Sequence, residues 1–72
     1  MDRYERIVKL HRLLKVNRTG ISLERVIEET EASRATAYRD IAFLRDALGA
    51  PLESDPETHR FRYEQQGGEA FE

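Results

Sequence analysis

Three helices followed by a small β-hairpin, mainly α overall, is the fold class this 72-residue sequence predicts. Three observations carry it. Apolar residues recur at helical spacing along three stretches. The second and third stretches are separated by a very short turn ending in a serine. A later segment then alternates aromatic and charged residues at the period of a strand.

The first helix is expected from about Asp2 to Val16. Tyr4, Ile7, Val8, His11 and Leu14 fall on one stripe, which Leu10 and Leu13 widen. Arg3, Arg6, Lys9, Arg12 and Lys15 recur every third residue, so they wind around the flank as a mostly solvated series. Asn17-Arg18-Thr19-Gly20 breaks the pattern with turn-forming residues. Ser22 then suits the N-cap of a second, short helix over about residues 23–30, because its hydroxyl can accept a bond from a free backbone N–H. Ile21 and Val26 are spaced as a hydrophobic staple. Leu23, Val26, Ile27 and Thr30 form the inner face of this helix.

Glu31-Ala32 is a tight link, and Ser33 caps the third helix. Ala37, Ile41, Leu44 and Leu48 form one stripe along it, Gly49 supplies a left-handed stop, and Pro51 prevents continuation. Leu52 and Ser54 alternate with Glu53, Asp55-Pro56-Glu57 signals a turn, and Phe61 and Tyr63 alternate with Arg60, Arg62 and Glu64. A lone hairpin is marginally stable, so its aromatics must pack on the helices. Two helices joined by so short a turn, with such a hairpin attached, make a winged helix-turn-helix over residues 1–64. Residues 65–72, Q-Q-G-G-E-A-F-E, read as linker.

The sequence contains no cysteine, which excludes disulfides, thiolate catalysis and sulfur-ligated zinc. His11 and His59 stand far apart without a second ligand at metal-binding spacing, so no metal or cofactor is expected. No Gly-rich phosphate loop, serine elbow or carboxylate pair suggests an enzyme. The chain has no apolar run of the roughly 18 residues that span a membrane and no signal-peptide core, so a cytoplasmic domain is expected. A net charge of −2 opposes nucleic-acid binding, which rests on phosphate neutralisation. The charge is unevenly spread, however. Residues 1–19 carry six basic and two acidic groups, whereas residues 50–72 carry two and six. A locally basic face remains open.

On a helical wheel, Ala35, Arg39, Ala42 and Asp46 point away from the apolar stripe of the third helix. Arg34 and Tyr38 sit on one shoulder and Thr36 on the other. Small Ala35 lets the outer face approach a groove wall. Arg39 can reach a guanine edge or a phosphate through two parallel bonds. Ser33 and Thr36, at the positive end of the helix, suit phosphate oxygens, and Tyr38 suits a phosphate, a sugar or a thymine methyl. Each has a plainer reading: Ser33 as cap, Thr36 bonded to its own helix backbone, Arg34 as a solvated shoulder and Tyr38 folded over the core edge. Asp40 and Asp46 are expected to partner nearby arginines. Phe43, off the stripe, packs on the wing or the first helix, or else meets another domain.

The stretch S-R-A-T-A-Y-R-D-I-A-F-L-R-D-A-L-G-A-P-L, residues 33–52, resembles the N-terminal winged helix-turn-helix of bacterial WYL-domain transcriptional regulators. The opening M-D-R-Y-E-R-I, the later L-H-R-L-L and the aromatic F-R-Y of the hairpin are similar to that family as well. The resemblance implies a downstream WYL-type domain beyond the G-E-A-F-E at residues 68–72. The chain would then be the front of a longer regulator that dimerises largely through that downstream part. Many members carry Leu-Gly-Val where this chain has Thr30-Glu31-Ala32. A left-handed Glu31 would cost on the order of 1 kcal/mol, which favours another shape for this turn. Where members often carry glycines at the wing tip, His59 and Arg60 stand here as a basic pair.

The expected function is sequence-specific binding of double-stranded DNA, as the operator-recognition domain of a bacterial transcription regulator. Ser33, Arg34, Ala35, Thr36, Tyr38 and Arg39 would meet the major groove, and His59, Arg60 and Arg62 the flanking phosphates or minor groove. The rival is a winged helix used for protein association, with Phe43 and the wing aromatics as its surface, which suits the acidic balance better.

Overall fold

The computed structural model describes residues 1–64. The linker expected over residues 65–72 lies outside the described residues. The elements are α1 (Arg3–Val16), β1 (Ile21–Ser22), α2 (Leu23–Thr30), α3 (Arg34–Ala42) running into a π-helical turn (Phe43–Ala47), β2 (Leu52–Ser54) and β3 (Arg60–Tyr63). Three helices and a small antiparallel sheet are a winged helix-turn-helix, the fold class expected.

Helix α1 begins with a reciprocal cap. The Asp2 carboxylate accepts the Glu5 N–H at 2.8 Å, and the Glu5 carboxylate accepts the Asp2 N–H at 3.1 Å. The buried edge of α1 runs through Leu10 and Leu14, flanked by Ile7 and Leu13. Tyr4, placed on the apolar stripe by its spacing, is instead 78% exposed. It stands in the first turn, beyond the edge of the core.

Gly20 turns the chain into β1 with φ 115°, and a Cβ there would meet the Arg60 Cβ at 2.9 Å. Only a glycine lets β3 approach so closely. Strand β1 was not expected, and it completes a three-stranded antiparallel sheet in the order β1-β3-β2. Ile21 pairs with Phe61, and Leu52 with Tyr63. The wing is therefore stitched to the start of α2 as well as closed on itself.

Ser22 caps α2 by accepting the Arg25 N–H at 3.1 Å. At the other end Glu31 adopts φ 55°, ψ 38°, the left-handed conformation that its side chain disfavours. The turn thus keeps the shape a glycine would give it, contrary to the expectation of another geometry. The neighbouring residues fix it: Thr30 is buried and its hydroxyl donates to the Val26 carbonyl at 2.7 Å, while the Ala32 N–H reaches the Ile27 carbonyl. A cost of about 1 kcal/mol at Glu31 is small against the packing of α2 on α3.

The core gathers Leu10, Leu14, Val26, Ala37, Ile41 and Leu44, with Phe61 and Tyr63 packed on it from the wing. Leu48 departs from its expected place on the α3 stripe and is 43% exposed. The cause is the π turn, in which the Leu48 N–H bonds to the Phe43 carbonyl five residues back. The wider turn advances each residue by a smaller angle than an α-helix does, so Leu48 falls out of phase with Ala37 and Ile41. Gly49 then takes φ 71°, and the Ala50 N–H closes the end on the Leu44 carbonyl at 3.1 Å.

Candidate nucleic-acid interface

Helix α3 is positioned from both ends and from beneath. At its start the Ser33 Oγ accepts the Thr36 N–H at 3.1 Å and lies 3.0 Å from the Thr36 hydroxyl. The cap reading of Ser33 holds, whereas the Thr36 hydroxyl is bonded by the Ser33 hydroxyl and not to its own helix backbone. The inner face carries Ala37, Ile41 and, unexpectedly for an acid, Asp40, which is 3% exposed. Its carboxylate accepts from the Arg6 Nε at 2.7 Å and the Arg6 Nη2 at 3.4 Å. The pairing of Asp40 with an arginine matches the expectation, and so does that of Asp46, bonded to Arg45 at 2.9 Å. Arg6, however, leaves the solvated series on α1 to become a strut between α1 and α3. Asp40 in turn holds the Arg6 guanidinium above its usual pKa.

The outer face presents Ala35 and Arg39 to solvent, as the helical wheel placed them, and Tyr38, on the shoulder, is 52% exposed rather than folded over the core edge. No hydrogen bond or ion pair engages the Arg39 guanidinium among the described residues. Arg34, on the shoulder, reaches the Glu24 carboxylate of α2 at 3.3 Å, with both side chains largely exposed. Backbone N–H bonding at Glu24 and the Arg34 guanidinium hold that carboxyl below its usual range. The exposed pair is easily exchanged for another partner, because surface ion pairs contribute roughly 0–1 kcal/mol.

The wing positions its candidates differently. At its tip, Asp55 accepts the Glu57 and Thr58 N–H groups at 2.8 and 3.4 Å, and His59 takes φ 59°. His59 thus supplies the left-handed residue that glycine often supplies in such loops. Arg60 is exposed, its stem lying across Gly20. Arg62 is held by the Glu53 carboxylate at 2.7 Å and approaches Asp55 at 3.8 Å. Among the described residues no hydrogen bond or ion pair joins His59, Arg60 or Arg62 to α3.

Phe43 and the wing aromatics are used internally. The Arg3 guanidinium lies 4.1 Å from the centre of the Phe43 ring, so Phe43 packs on the first helix. The Tyr63 hydroxyl is 2.7 Å from His11 Nδ1, which binds the last strand to α1 and places His11 at the core edge. A protein-binding surface built from Phe43 and the wing aromatics would have to dismantle these contacts.

Sequence reasoning missed Arg6, Glu24 and Glu53, which decide how the cations are engaged. The Glu53–Arg62 pair follows from the hairpin register, in which these two residues face each other. Arg6 and Asp40 stand 34 positions apart with no local signal linking them. A cleft of about 320 Å³ between α1 and α2 is lined by Lys9, Arg12, Leu13, Val16, Asn17 and Arg25, with no contribution from α3. Among the described residues no cluster of three or more His, Asp or Glu side chains could hold a metal ion. Among the described residues no helix is long and apolar enough to cross a membrane.

The family model for an HTH domain matches residues 6–59, well over half of the chain. No curated protein and no solved structure matches it.

Proposed function

Because the chain belongs to the HTH domain family, a DNA-binding fold of transcription regulation, we propose that it recognises a specific operator in double-stranded DNA. Helix α3 enters the major groove with Ala35, Tyr38 and Arg39 toward the base edges. Ser33, Arg34 and Thr36 approach the phosphates at the positive end of the helix. His59, Arg60 and Arg62 of the wing contact flanking phosphates or the minor groove.

One observation carries this reading. Arg39 is a cation without a bonded partner among the described residues, on the exposed face of a helix whose neighbour Ala35 leaves room for a groove wall. Other arginines, Arg34, Arg45 and Arg62 among them, pair with carboxylates. Leaving Arg39 unengaged suits it to an external acceptor.

The resemblance of residues 33–52 to WYL-domain regulators supports a bacterial regulator whose residues 65–72 lead toward a downstream domain. That domain would contribute the contacts of a homodimer. A single recognition helix binds a half-site weakly, and linking two would raise avidity on the order of 10²–10⁴.

Selection from a pool of random duplexes, followed by affinity measurements across a salt series, tests the proposal. An enriched sequence motif and an affinity falling steeply with salt are expected. Absence of any enriched motif, together with salt-independent retention, would overturn it. Sedimentation is expected to show residues 1–72 as a monomer or weak dimer. A fusion through the C-terminus should bind repeated half-sites more tightly, and equal affinity at every spacing would remove the dimer reading.

A further inference from the structure

We infer that Arg6 and Asp40 are positioning residues that set the rotation of α3 about its own axis, and with it the direction in which Arg39 projects. The inference rests on the DNA-binding reading for its functional consequence, and on the buried pair for its geometry.

The stripe that seats α3 consists of Ala37, Ile41 and Leu44, all buried. Apolar burial is non-directional, and a short side chain such as Ala37 offers little to resist rotation. The pair is directional. Asp40 has a side chain 5% exposed, and Arg6 18%. Arg6 presents Nε to one carboxylate oxygen and Nη2 to the other, and its Nη1 donates to the Met1 carbonyl at 3.3 Å. A planar guanidinium fixed at several points holds the carboxylate in one orientation.

Asp40 directly follows Arg39, so their side chains leave the helix about 100° apart. Fixing one fixes the other. A side-chain tip lies roughly 5–6 Å from the helix axis, so a rotation of about 20° displaces it by about 2 Å. That exceeds the tolerance of a two-point hydrogen bond to a base edge. Desolvating both charges offsets most of their attraction, so the pair contributes more to orientation than to stability.

The test replaces both partners together, Arg6→Met with Asp40→Leu, which leaves net charge unchanged. The double variant is expected to stay folded, because apolar replacement of a buried pair is often neutral or better. Two quantities are then read. Backbone residual dipolar couplings report the orientation of α3 relative to α1 without DNA. The ratio of affinities for a selected site and a random duplex reports discrimination.

The couplings of α3 are expected to change or shrink, discrimination to fall at least tenfold, and the salt dependence on random DNA to stay as in the parent. A second variant, Arg6→Lys, keeps the charge without the fork and should show the same changes in smaller degree. Unchanged couplings in both variants would overturn the positioning role, whatever the domain binds. Altered couplings with parental discrimination would show that α3 orientation does not govern recognition, and would equally overturn the inference. A parent that shows salt-independent retention on DNA, with couplings altered as expected, would instead remove the DNA reading and leave the geometric role standing.

Discussion

On the outer face of α3, Arg39 stands exposed beside Ala35 and Tyr38, bonded to nothing among the described residues, whereas in the wing Arg62 is clasped at 2.7 Å by Glu53 and approached by Asp55. The two regions offer DNA the same kind of cation in opposite states. Alternation along a strand and phase around a helix both say which way a side chain points. Neither says whether a neighbouring carboxylate has already engaged it. The wing lies in the acidic end of the chain and pairs Arg62 with its own carboxylates, while α3 turns its carboxylate, Asp40, inward to Arg6 and leaves its outer face basic. The expected division of labour follows: α3 discriminates among sequences, and the wing adds modest, sequence-blind affinity.

The largest effect is expected from Arg39→Ala, which should weaken binding to a selected site by about 1–3 kcal/mol, the range for one good base contact. Thermal stability should hold, because the side chain faces away from the core. Calorimetric unfolding and titration of one labelled duplex check both halves. Parental affinity in the variant would break the contrast between the regions.

Replacing Arg60 and Arg62 together by Ala should weaken binding to all sequences alike and flatten the salt dependence, since phosphate contacts position without specifying. Of the two, Arg60→Ala alone is expected to account for most of the loss, roughly one phosphate contact or a change of about 0.9 in the log–log salt slope. An equal share from Arg62 would show that DNA readily displaces Glu53.

Glu53→Gln sharpens the same point from the other side. Glu53 holds the Arg62 guanidinium above its usual pKa, chiefly through their hydrogen bond. Without that carboxylate Arg62 keeps only its 3.8 Å approach to Asp55, and affinity for random duplexes should rise a few-fold with a steeper salt slope. No gain at low salt would mean that Arg62 never approaches the backbone.

The smallest effect concerns acid. The Glu57 N–H foremost, with that of Thr58 and the nearby Arg62 charge, holds the Asp55 carboxyl below its usual range. A carboxyl lowered in the folded state stabilises the wing above its unfolded pKa of about 4, and that contribution is lost as the pH falls through the folded value. The amide resonances of Glu57 and Thr58 should therefore shift below about pH 4, ahead of those in the α3 interior. Amides insensitive to acid would show that the Asp55 turn is held by the backbone alone.

Much of the scaffold was legible in the sequence because its signals are local. Ser22 and Ser33 cap within three residues, and the phase of Ala37, Ile41 and Leu44 fixes which side of α3 faces out. What escaped depends on distant partners or on departures from regular geometry. Strand β1 is two residues long and exists only because β3 pairs with it. Leu48 follows an α-helical phase that the π turn interrupts. Glu31 takes a conformation that its own side chain resists, because the packed helices on either side leave the link no other course. In the candidate site, the outward placement of Arg39 was readable, whereas the engagement of Arg34 and Arg62 required knowing where Glu24 and Glu53 would lie.

The pairing of Ile21 with Phe61 also has a kinetic side. It closes a loop of about forty residues, and the entropy of that closure must be met before the sheet returns anything. The helices form from neighbouring segments and can assemble early; the sheet waits for β3, the latest of its three strands to be synthesised. Until Phe61 and Tyr63 arrive, Ile21 lacks its partner and one side of the core stays open to water. The domain should therefore close from its C-terminal end, with the β1 amides gaining protection from hydrogen exchange in step with the wing and after α2.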